Sequence, residues 1–321
     1  IYEIVGTFVT DKPQVHGMHF YQGWLWFTQS QGIHRGRDTN GDGVADEVQT
    51  IIPNGNLPGG SGHWWRPILV TDDGFYTSVG DSGNITDEQD SDRQKIWHYS
   101  LDGKQRTLFA SGIRNTEKYR FRPGTQEIWG ADHGSDWYGK KFGEGRNNQP
   151  VTNQNPPCEF NRYIQGGFYG HPFIVGNGLP RIEFSDRSNI LELAAKTISP
   201  EWSLGGHWAP NGWCFLDGSK HFPGDHDGDA FIACHGSWNS TIKVGYSIIR
   251  ILFDDQTGKP YGSLRIVSTL TGDDLPAGDE GILGRPVDCI QAPDGTLLFS
   301  CDYTNRVYRI SFEGGEAERG Q

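Results

Sequence analysis

The chain has 321 residues, of which 45 are glycine, and its 40 acidic residues outnumber its 28 basic residues to give a net charge of −12. This charge argues against a nucleic-acid partner and against binding to an anionic membrane surface. No apolar run reaches the roughly 18 residues that a membrane-spanning helix needs, so the sequence predicts no membrane span. Helical periodicity is confined to residues 186–196, and the remaining pattern predicts an all-β protein.

One pattern recurs five times along the chain: a turn ending in glycine, an aromatic or aliphatic strand, and a polar end. The glycines are 51, 50, 104 and 67 residues apart, and periods near 50 are typical of β-propeller blades. Because the third interval is about twice the first two, we predict a sixth, degenerate unit near residues 170–205. The sequence thus predicts a six-bladed β-propeller of four-stranded antiparallel blades, with residues 1–321 as a single domain. The five glycines are Gly23, Gly74, Gly124, Gly228 and Gly295.

Strands and turns alternate along most of the chain, but one long irregular segment interrupts them. This segment, residues 132–166, is rich in Gly, Asn, Gln and Pro. Segments of this length inside a compact domain usually build a binding site or a lid. A propeller also gathers the ends of its inner strands at one axis, so we expect residues from several blades to join this segment in a single site.

The first chemical motif is an acidic stretch early in the chain. Oxygen-bearing side chains at alternate positions, with glycines that permit a sharp turn, are typical of a loop that binds a hard cation such as Ca²⁺. The bidentate Glu expected at the twelfth position is absent, since Gln49 stands there. An acidic surface turn therefore remains the alternative to a structural calcium site. The candidate ligands are Asp38, Asn40, Asp42 and Asp46.

The second motif, residues 62–66, combines a histidine and an arginine. A histidine that faces a polar cavity can accept a hydroxyl proton near neutral pH, and a nearby guanidinium can hold an anionic group. His63 and Arg66 are the candidates for these two roles. The alternative for His63 is a packed, hydrogen-bonded residue of the core.

Further histidine and arginine residues stand near the ends of later strands. Arg114 offers a forked donor to carboxylate or quinone oxygens, and Asn115 adds a directional amide. The glycine-containing stretch 132–136 can present backbone carbonyls to a metal. A salt bridge at the end of a strand is the alternative for Arg114. The remaining candidates are His207, His235, Trp238, Lys243 and Arg285.

Taken in order, these elements resemble the soluble quinoprotein sugar dehydrogenases. That family includes glucose, L-sorbosone and fungal pyranose dehydrogenases, which are propellers that use pyrroloquinoline quinone (PQQ) with Ca²⁺. The resemblance covers roughly residues 30–312. Its seven elements are residues 62–63, 80–83, 111–115, 166–172, 228–231, 235–239 and 284–287.

The resemblance implies roles for individual residues. His63 matches the general base that takes the proton of the anomeric hydroxyl, and Arg114 matches a catalytic residue that stabilises the reduced, anionic quinone. Gly134 and Ser135 match the backbone carbonyls that bind the Ca²⁺. Val287 departs from the pattern because the glucose dehydrogenases have an arginine there. The residues predicted to bind the cofactor are Arg66, Arg114, Asn115, His207, His235, Trp238, Lys243 and Arg285.

The sequence therefore predicts a PQQ- and Ca²⁺-dependent dehydrogenase that oxidises an aldose or pyranose at its anomeric carbon. Its partners would be a sugar substrate and an external electron acceptor, such as a cytochrome. Two alternatives from other classes stay open: a calcium-dependent propeller lactonase or related hydrolase, and a non-catalytic propeller that binds carbohydrate.

Cysteine usage and the start of the chain bear on its location. The five cysteines have no zinc-site spacing, and their odd number leaves at least one unpaired, so we expect buried side chains and at most two disulfides. The chain begins at a strand-like segment, as a mature exported protein or a domain cut from a longer protein would. We expect a secreted or periplasmic protein.

Overall fold

The computed structural model describes residues 6–138 and 150–312. Within these residues, five sheets of three to five strands form the blades of a β-propeller, which confirms the predicted all-β propeller. Blade 1 contains β1 (Met18–Tyr21), β2 (Trp24–Gln29), β3 (Gly32–Arg37) and β4 (Glu47–Ile52). Blade 2 contains β5 (Ile68–Val70), β6 (Phe75–Val79), β7 (Lys95–Tyr99) and β8 (Arg106–Ser111).

The third blade is interrupted by an insertion, and the last two blades are continuous. Blade 3 contains β9 (Thr116–Phe121), β10 (Ile128–Asp132), β11 (Pro157–Tyr163) and β15 (Trp202–Gly206), with a short helix α1 (Pro150–Gln154) before β11. The insertion contains β12 (Gly167–Phe168), β13 (Ile174–Val175), β14 (Leu179–Pro180) and α2 (Ile190–Lys196). Blade 4 contains β16 (Pro210–Phe215), β17 (Ala230–Cys234), β18 (Ser247–Phe253) and β19 (Pro260–Ser268). Blade 5 contains β20 (Pro286–Gln291), β21 (Leu297–Cys301) and β22 (Arg306–Ile310).

The five glycine-led stretches each become the second strand of one blade: β2, β6, β10, β17 and β21. Gly23, for example, has a φ of +77° and Gly228 a φ of +80°, which a residue with a side chain rarely adopts. Each turn therefore lets the chain reverse from the first strand of the blade into the second. The repeat seen in the sequence is the spacing of these turns.

The prediction of six blades was wrong, because the extra length between the third and fourth repeats is an insertion and not a blade. In residues 170–205, β13 and β14 form only a two-residue ribbon, and β15 belongs to blade 3. Just before this range, β12 adds in parallel to β8 of blade 2. The apolar residues that suggested a degenerate unit instead form a small core, in which Ile190 and Leu193 of α2 pack on Phe173. The helical periodicity at residues 186–196 corresponds to α2.

The blades pack through aromatic cores that lie between neighbouring sheets. Trp129 and Phe160 of blade 3 meet Trp213 of blade 4, and all three are at most 1% exposed. The indole Nε1 of Trp213 donates a hydrogen bond to the carbonyl of Lys118 on β9. This contact fixes the first strand of blade 4 against the first strand of blade 3, and so sets the positions of the loops that precede both.

The first strands of the blades, β1, β5, β9, β16 and β20, surround the propeller axis. Residues of all five strands line a cavity of ≈ 330 Å³, which we call the central channel. Lys118 of β9 crosses it to Asp288 of β20, with 2.5 Å between Nζ and Oδ1. This ion pair ties blade 3 to blade 5.

All five cysteines lie in the described residues, and all are buried and free. Cys158 and Cys234 pack in the core between blades 3 and 4. Among residues 6–138 and 150–312, we find no helix with the length and apolar character needed to cross a membrane.

Candidate active site

A cleft lies at one end of the propeller axis, where loops leading into the first strands meet loops that follow the second strands. It has a volume of ≈ 90 Å³ and draws on blades 2, 3 and 4. Five predicted site residues line it: His63 and Arg114 precede β5 and β9, Gly134 follows β10, His207 precedes β16, and Trp238 follows β17. Asn239, next to Trp238, lines it as well.

His63 is held by the neighbouring chain that ends β6. Gly62 allows this approach: its φ is +60°, and a Cβ there would lie 2.3 Å from the carbonyl oxygen of Ser82. The backbone N–H of His63 and its ring Nδ1 both lie within hydrogen-bond distance of the carbonyl of Asp81, at 2.9 and 3.0 Å. A carbonyl can only accept, so Nδ1 carries the proton and Nε2 carries the lone pair.

The ring of His63 is neutral at physiological pH. Burial, followed by the positive charge of Arg114, lowers the pKa of His63 from 6.5 to about 4. In the described part of the chain, Nε2 makes no hydrogen bond. The cleft therefore contains an unprotonated imidazole nitrogen with a fixed tautomer, which is what a general base requires.

Arg114 is almost fully buried at 5% exposure, and its guanidinium is fixed by four groups. Its Nε donates to the carbonyl of Asn84 (3.0 Å), its Nη2 donates to Oδ1 of Asn84 (2.9 Å), and its Nη1 donates to the carbonyl of Gly134 (3.0 Å). The Asp136 carboxylate lies 3.6 Å from Nη2. Arg114 thus places a positive charge in the cleft at a defined position.

The chain after β10, residues 134–136, forms one wall of the cleft, and we call it the 134–136 loop. Gly134 has no room for a side chain, because a Cβ would lie 2.7 Å from the carbonyl oxygens of Pro156 and Pro157. Ser135 is buried, and its Oγ accepts a hydrogen bond from Nη1 of Arg181. The next residue, Asp136, projects a carboxylate into the cleft.

Asp136 contacts Asn239 and one more predicted residue, His207. Asn239 donates through Nδ2 to Oδ1 of Asp136, and His207 lies 3.7 Å from the same oxygen through Nδ1. Burial by itself raises the pKa of Asp136, but the close contact with the His207 ring and the charge of Arg114 outweigh it, so the pKa lies below its ordinary value. Within the described residues, Oδ1 of Asn239 has no donor. The cleft therefore offers an acceptor that a ligand hydroxyl could satisfy.

The backbone is strained where it borders the cleft. Trp137, His207 and Ala209 have φ values of +59°, +63° and +50°, a left-handed conformation that bulky residues rarely adopt. Trp238 is 69% exposed and packs edge-on against Trp137, with 5.6 Å between ring centroids. Conformations of this kind persist where the surrounding structure enforces them, and they concentrate at functional sites.

Three other predicted residues lie behind the cleft wall. Arg285 donates through Nε to the carbonyl of His235 (3.2 Å) and through Nη2 to the carbonyl of Gly236 (2.9 Å), and Gly236 lines the cleft. The ring of His235 pairs with Asp302 at 3.0 Å. Asn115 is 1% exposed, and its Oδ1 has no donor among the described residues.

Two predicted cofactor residues do not reach the cleft. Arg66 is 2% exposed and lies in the core between blades 1 and 2, where it donates to the carbonyls of Ser30 (2.8 Å) and Pro58 (2.6 Å). Lys243 donates to the carbonyl of Pro276 and lines a separate cavity. Both side chains turn towards backbone carbonyls that the sequence alone does not locate.

The acidic stretch that the sequence predicts as a calcium loop lies exposed between β3 and β4. Asp38 accepts hydrogen bonds from three backbone N–H groups of its own loop, and Asp46 accepts from Thr39 and Asn40. Across the described residues, no group of three or more His, Cys, Asp or Glu side chains is arranged to hold a metal ion. Calcium binding by Asp38, Asn40, Asp42 and Asp46 stays a prediction.

Sequence reasoning missed several residues that support the cleft. The His171 ring lies 2.7 Å from the carboxylate of Asp81. Asp81 is fully buried, and its backbone carbonyl orients His63. Arg181 binds the 134–136 loop, and the Asp136 carboxylate contacts Arg114, His207 and Asn239. A signal existed for His171 and Asp136, since both stand in glycine-containing motifs at strand ends. None existed for Arg181, which belongs to the segment predicted as a blade.

The residues present can be tested against the two cofactors that the resemblance implies. For the quinone they fit: the guanidinium of Arg114, the exposed ring of Trp238 and the unsatisfied Oδ1 of Asn239 all belong to one cleft, and Arg285 lies behind its wall. A tricarboxylate with a planar ring needs such cations and such an aromatic face. For calcium at Gly134 and Ser135 they do not fit, because the Gly134 carbonyl accepts a hydrogen bond from the buried guanidinium of Arg114, whose positive charge would lie beside the ion.

Comparison with known proteins shows which proteins this chain is similar to. A family model described as TrAA12-like matches residues 186–313. A curated, uncharacterized protein of Borreliella burgdorferi is 27% identical over 267 residues, which is 83% of this chain and 64% of that protein. The chain therefore spans less than two thirds of the length of the curated relative that it matches.

Solved structures with the same fold are more informative. The pyranose dehydrogenase PQQ domain of Coprinopsis cinerea superimposes with a TM-score of 0.74 at 18% identity, over 93% of this chain and 82% of that one. A calcium structure of a Trichoderma reesei family AA12 enzyme gives 0.73 at 19% identity, over 94% and 82%. The soluble aldose sugar dehydrogenase of Escherichia coli gives 0.60 at 17% identity, over 90% and 78%. The resemblance seen in the motifs is confirmed: this chain has the propeller fold of the PQQ-type sugar dehydrogenases and resembles that family.

Proposed function

We propose that this protein is a PQQ-dependent dehydrogenase that oxidises an aldose or pyranose at its anomeric carbon and passes the electrons to an external acceptor. One observation carries the proposal: His63 presents an unprotonated Nε2 to the same cleft that contains Arg114 and Trp238. The shared fold with a pyranose dehydrogenase PQQ domain and an aldose sugar dehydrogenase supports it.

His63 would remove the proton from the anomeric hydroxyl of the sugar. Its Nε2 is available for this because the Nδ1 proton is committed to the carbonyl of Asp81. Asp81 is itself fixed by His171 at 2.7 Å and by the backbone N–H of Gly83 at 2.6 Å. The ring is thus held in one orientation, and a positioned base of this kind typically accelerates a reaction by roughly 10²- to 10⁴-fold.

The other residues of the cleft would bind and orient. Arg114 would hold a carboxylate or the developing negative charge of the quinone, and Trp238 would stack on a flat ring. Asn239 and Asp136 would hydrogen-bond sugar hydroxyls through the free Oδ1 and the carboxylate. When bound, PQQ supplies the capacity to accept the hydride of the anomeric carbon, which no amino-acid side chain has.

Calcium at the exposed acidic loop of blade 1 stays a prediction from the spacing of Asp38, Asp42 and Asp46, whose carboxylates accept hydrogen bonds from their own loop in the structure. We assign calcium no part in the oxidation, because the buried positive charge of Arg114 lies at the Gly134 carbonyl.

Reconstitution of the purified protein tests the proposed function. PQQ is added, and the quinone absorbance is followed while a panel of aldoses and pyranoses is supplied with an artificial electron acceptor. We expect bleaching by at least one sugar and acceptor reduction that depends on PQQ. Hydrolysis of lactones without PQQ would instead assign a hydrolase, and sugar binding with neither activity would assign a carbohydrate-binding propeller.

A matched pair of histidine variants controls this experiment. His63→Asn removes the proton acceptor of the cleft, whereas His221→Asn changes an exposed histidine of blade 4 that lies outside the cleft. PQQ-dependent turnover should be lost only in the first variant. Equal turnover in both variants contradicts the role of His63.

A further inference from the structure

Two guanidinium groups bind the 134–136 loop. Arg114 donates to the Gly134 carbonyl at 3.0 Å. Arg181 donates through Nη1 to Oγ of Ser135 and through Nη2 to the carbonyl of Asp136 at 3.3 Å. The two arginines are 5% and 1% exposed, so water screens their charges little.

Both arginines are anchored by further contacts. Arg114 makes two hydrogen bonds to Asn84, which in turn donates through Nδ2 to the carbonyl of Asp136 at 2.9 Å. Arg181 pairs through Nε with Glu183 at 3.0 Å, and its guanidinium carbon lies 5.1 Å from the ring centroid of Tyr138. Moving either side chain away would break several charge-assisted hydrogen bonds, which are among the stronger kind.

These contacts conflict with a divalent cation at the same loop. Calcium requires six to eight oxygen ligands at roughly 2.3–2.6 Å, usually with several carboxylates among them. The carboxylate of the 134–136 loop, that of Asp136, already faces Arg114, and that of Glu183 faces Arg181. Two more carboxyl groups, those of Asp132 and Glu159, line the cavity beside Gly134 and Ser135. Asp132 accepts from the backbone N–H groups of Arg114 and Asn115, and burial raises the pKa of Glu159 to about 8, so that its carboxyl group is mostly neutral at pH 7. A calcium ion would therefore enter beside two buried positive charges, with no unpaired carboxylate on the loop to balance it.

We propose that Arg114 and Arg181 take the place of a divalent cation at the 134–136 loop, so that the cleft binds its anionic cofactor without calcium. Arg114 supplies the positive charge that faces the ligand, and Arg181 positions the loop from behind through Ser135. The claim that the cleft binds a quinone rests on the proposed function. The claim that the loop does not bind calcium rests only on the contacts of the loop.

Calcium binding to the full chain without quinone gives the first test. The background is the double variant Asp38→Asn/Asp42→Asn, which removes two carboxylates of the exposed acidic loop and leaves the cleft unchanged. Calcium is titrated by calorimetry, and the thermal midpoint is measured with and without calcium, since a ligand that binds the native state raises it. We expect no bound calcium and no shift of the midpoint. Binding of one calcium per chain in this background overturns the proposal.

PQQ binding in the presence of a chelator gives the second test. We expect the dissociation constant of PQQ to change by less than about twofold between excess chelator and excess calcium, and to rise by at least about tenfold in Arg114→Gln under both conditions. A calcium-dependent change of about tenfold or more in the unsubstituted protein overturns the proposal.

Two controls separate the possible failures. Arg114→Lys keeps the charge and should bind PQQ more tightly than Arg114→Gln. If that order is reversed, Arg114 does not supply the charge. If PQQ binds neither in excess chelator nor in excess calcium, the proposed function fails. The calcium titration of the quinone-free chain still shows whether the 134–136 loop binds calcium.

Discussion

The cleft and the central channel both lie on the propeller axis, and both bury charged side chains from several blades. In the channel, the charges satisfy one another: Lys118 contacts Asp288 at 2.5 Å, and Glu117 lies 3.5 Å from the ring of His16. In the cleft, by contrast, polar atoms are left over.

The unsatisfied atoms of the cleft are Nε2 of His63 and Oδ1 of Asn239, neither of which has a hydrogen-bond partner among the described residues. Of these two atoms, Oδ1 of Asn239 is also buried, and burying a polar atom without a partner costs free energy unless a ligand satisfies it. Buried charge alone therefore does not identify a functional site. The channel is the larger cavity, but its charged groups have structural partners.

Substitution of His63 in the cleft should have the largest effect on turnover. His63→Ala should lower PQQ-dependent turnover by roughly 10²- to 10⁴-fold, because it removes a positioned base. PQQ binding and the thermal midpoint should change little, which titration and differential scanning calorimetry would measure. A variant that fails to fold would assign His63 to the structure and remove the contrast with the channel.

A substitution in the central channel should instead lower stability and leave turnover unchanged. Lys118→Met should lower the free energy of unfolding by about 1–3 kcal/mol, because it removes the partner of Asp288 and a hydrogen bond to the carbonyl of Cys289. Denaturant unfolding would measure this loss. Turnover per folded molecule should be unchanged, and a large loss of turnover would show that the channel takes part in the reaction.

A smaller effect concerns sugar recognition. Asn239→Ala removes the free Oδ1 and the hydrogen bond to Asp136, and the KM for the sugar should rise by about tenfold, equivalent to one neutral hydrogen bond. Steady-state kinetics over a range of sugar concentrations would measure it. An unchanged KM together with a lower thermal midpoint would assign Asn239 to the support of the loop.

The smallest expected effect is on the pH profile. The pKa of His63 is about 4 in the folded protein, against an ordinary value of 6.5, so the ring stays neutral as the pH falls through the usual range of histidine. Turnover should change by less than about twofold between pH 7 and pH 5, and decline as the pH passes through about 4. In Arg114→Gln, loss of the positive charge should move this decline to higher pH. An acidic limb near 6.5 in the unsubstituted protein would contradict a buried, neutral His63.

The lowered pKa of His63 also makes the folded protein less stable as the pH falls. The unfolded chain binds a proton at His63 below about 6.5, whereas the folded chain does so only below about 4. Between these values the unfolded state binds more protons, so this residue lowers stability as the pH falls through that window. His63→Ala should therefore weaken the acid sensitivity of unfolding in the same range.

Part of the candidate site could be predicted from the sequence because strand ends are local features. His63 and Arg114 each stand one or two residues after a glycine and precede the first strand of a blade, and the structure brings both to the cleft. Arg66 also precedes the first strand of a blade but turns into the protein. Which way such a side chain points depends on carbonyls of other blades, as the bonds of Arg66 to Ser30 and Pro58 show.

The sequence by itself determined the turn spacing, the second strand of every described blade and the helix within residues 186–196, because each depends on glycine φ values or on side-chain periodicity over a few residues. The tertiary structure was needed to show that the segment between β11 and β15 is an insertion, that Arg181 reaches Ser135, and that Arg114 donates to the Gly134 carbonyl. The physical reason is that those outcomes depend on hydrogen bonds between groups 20 to 46 residues apart in sequence, which are made only when the blades close around their axis.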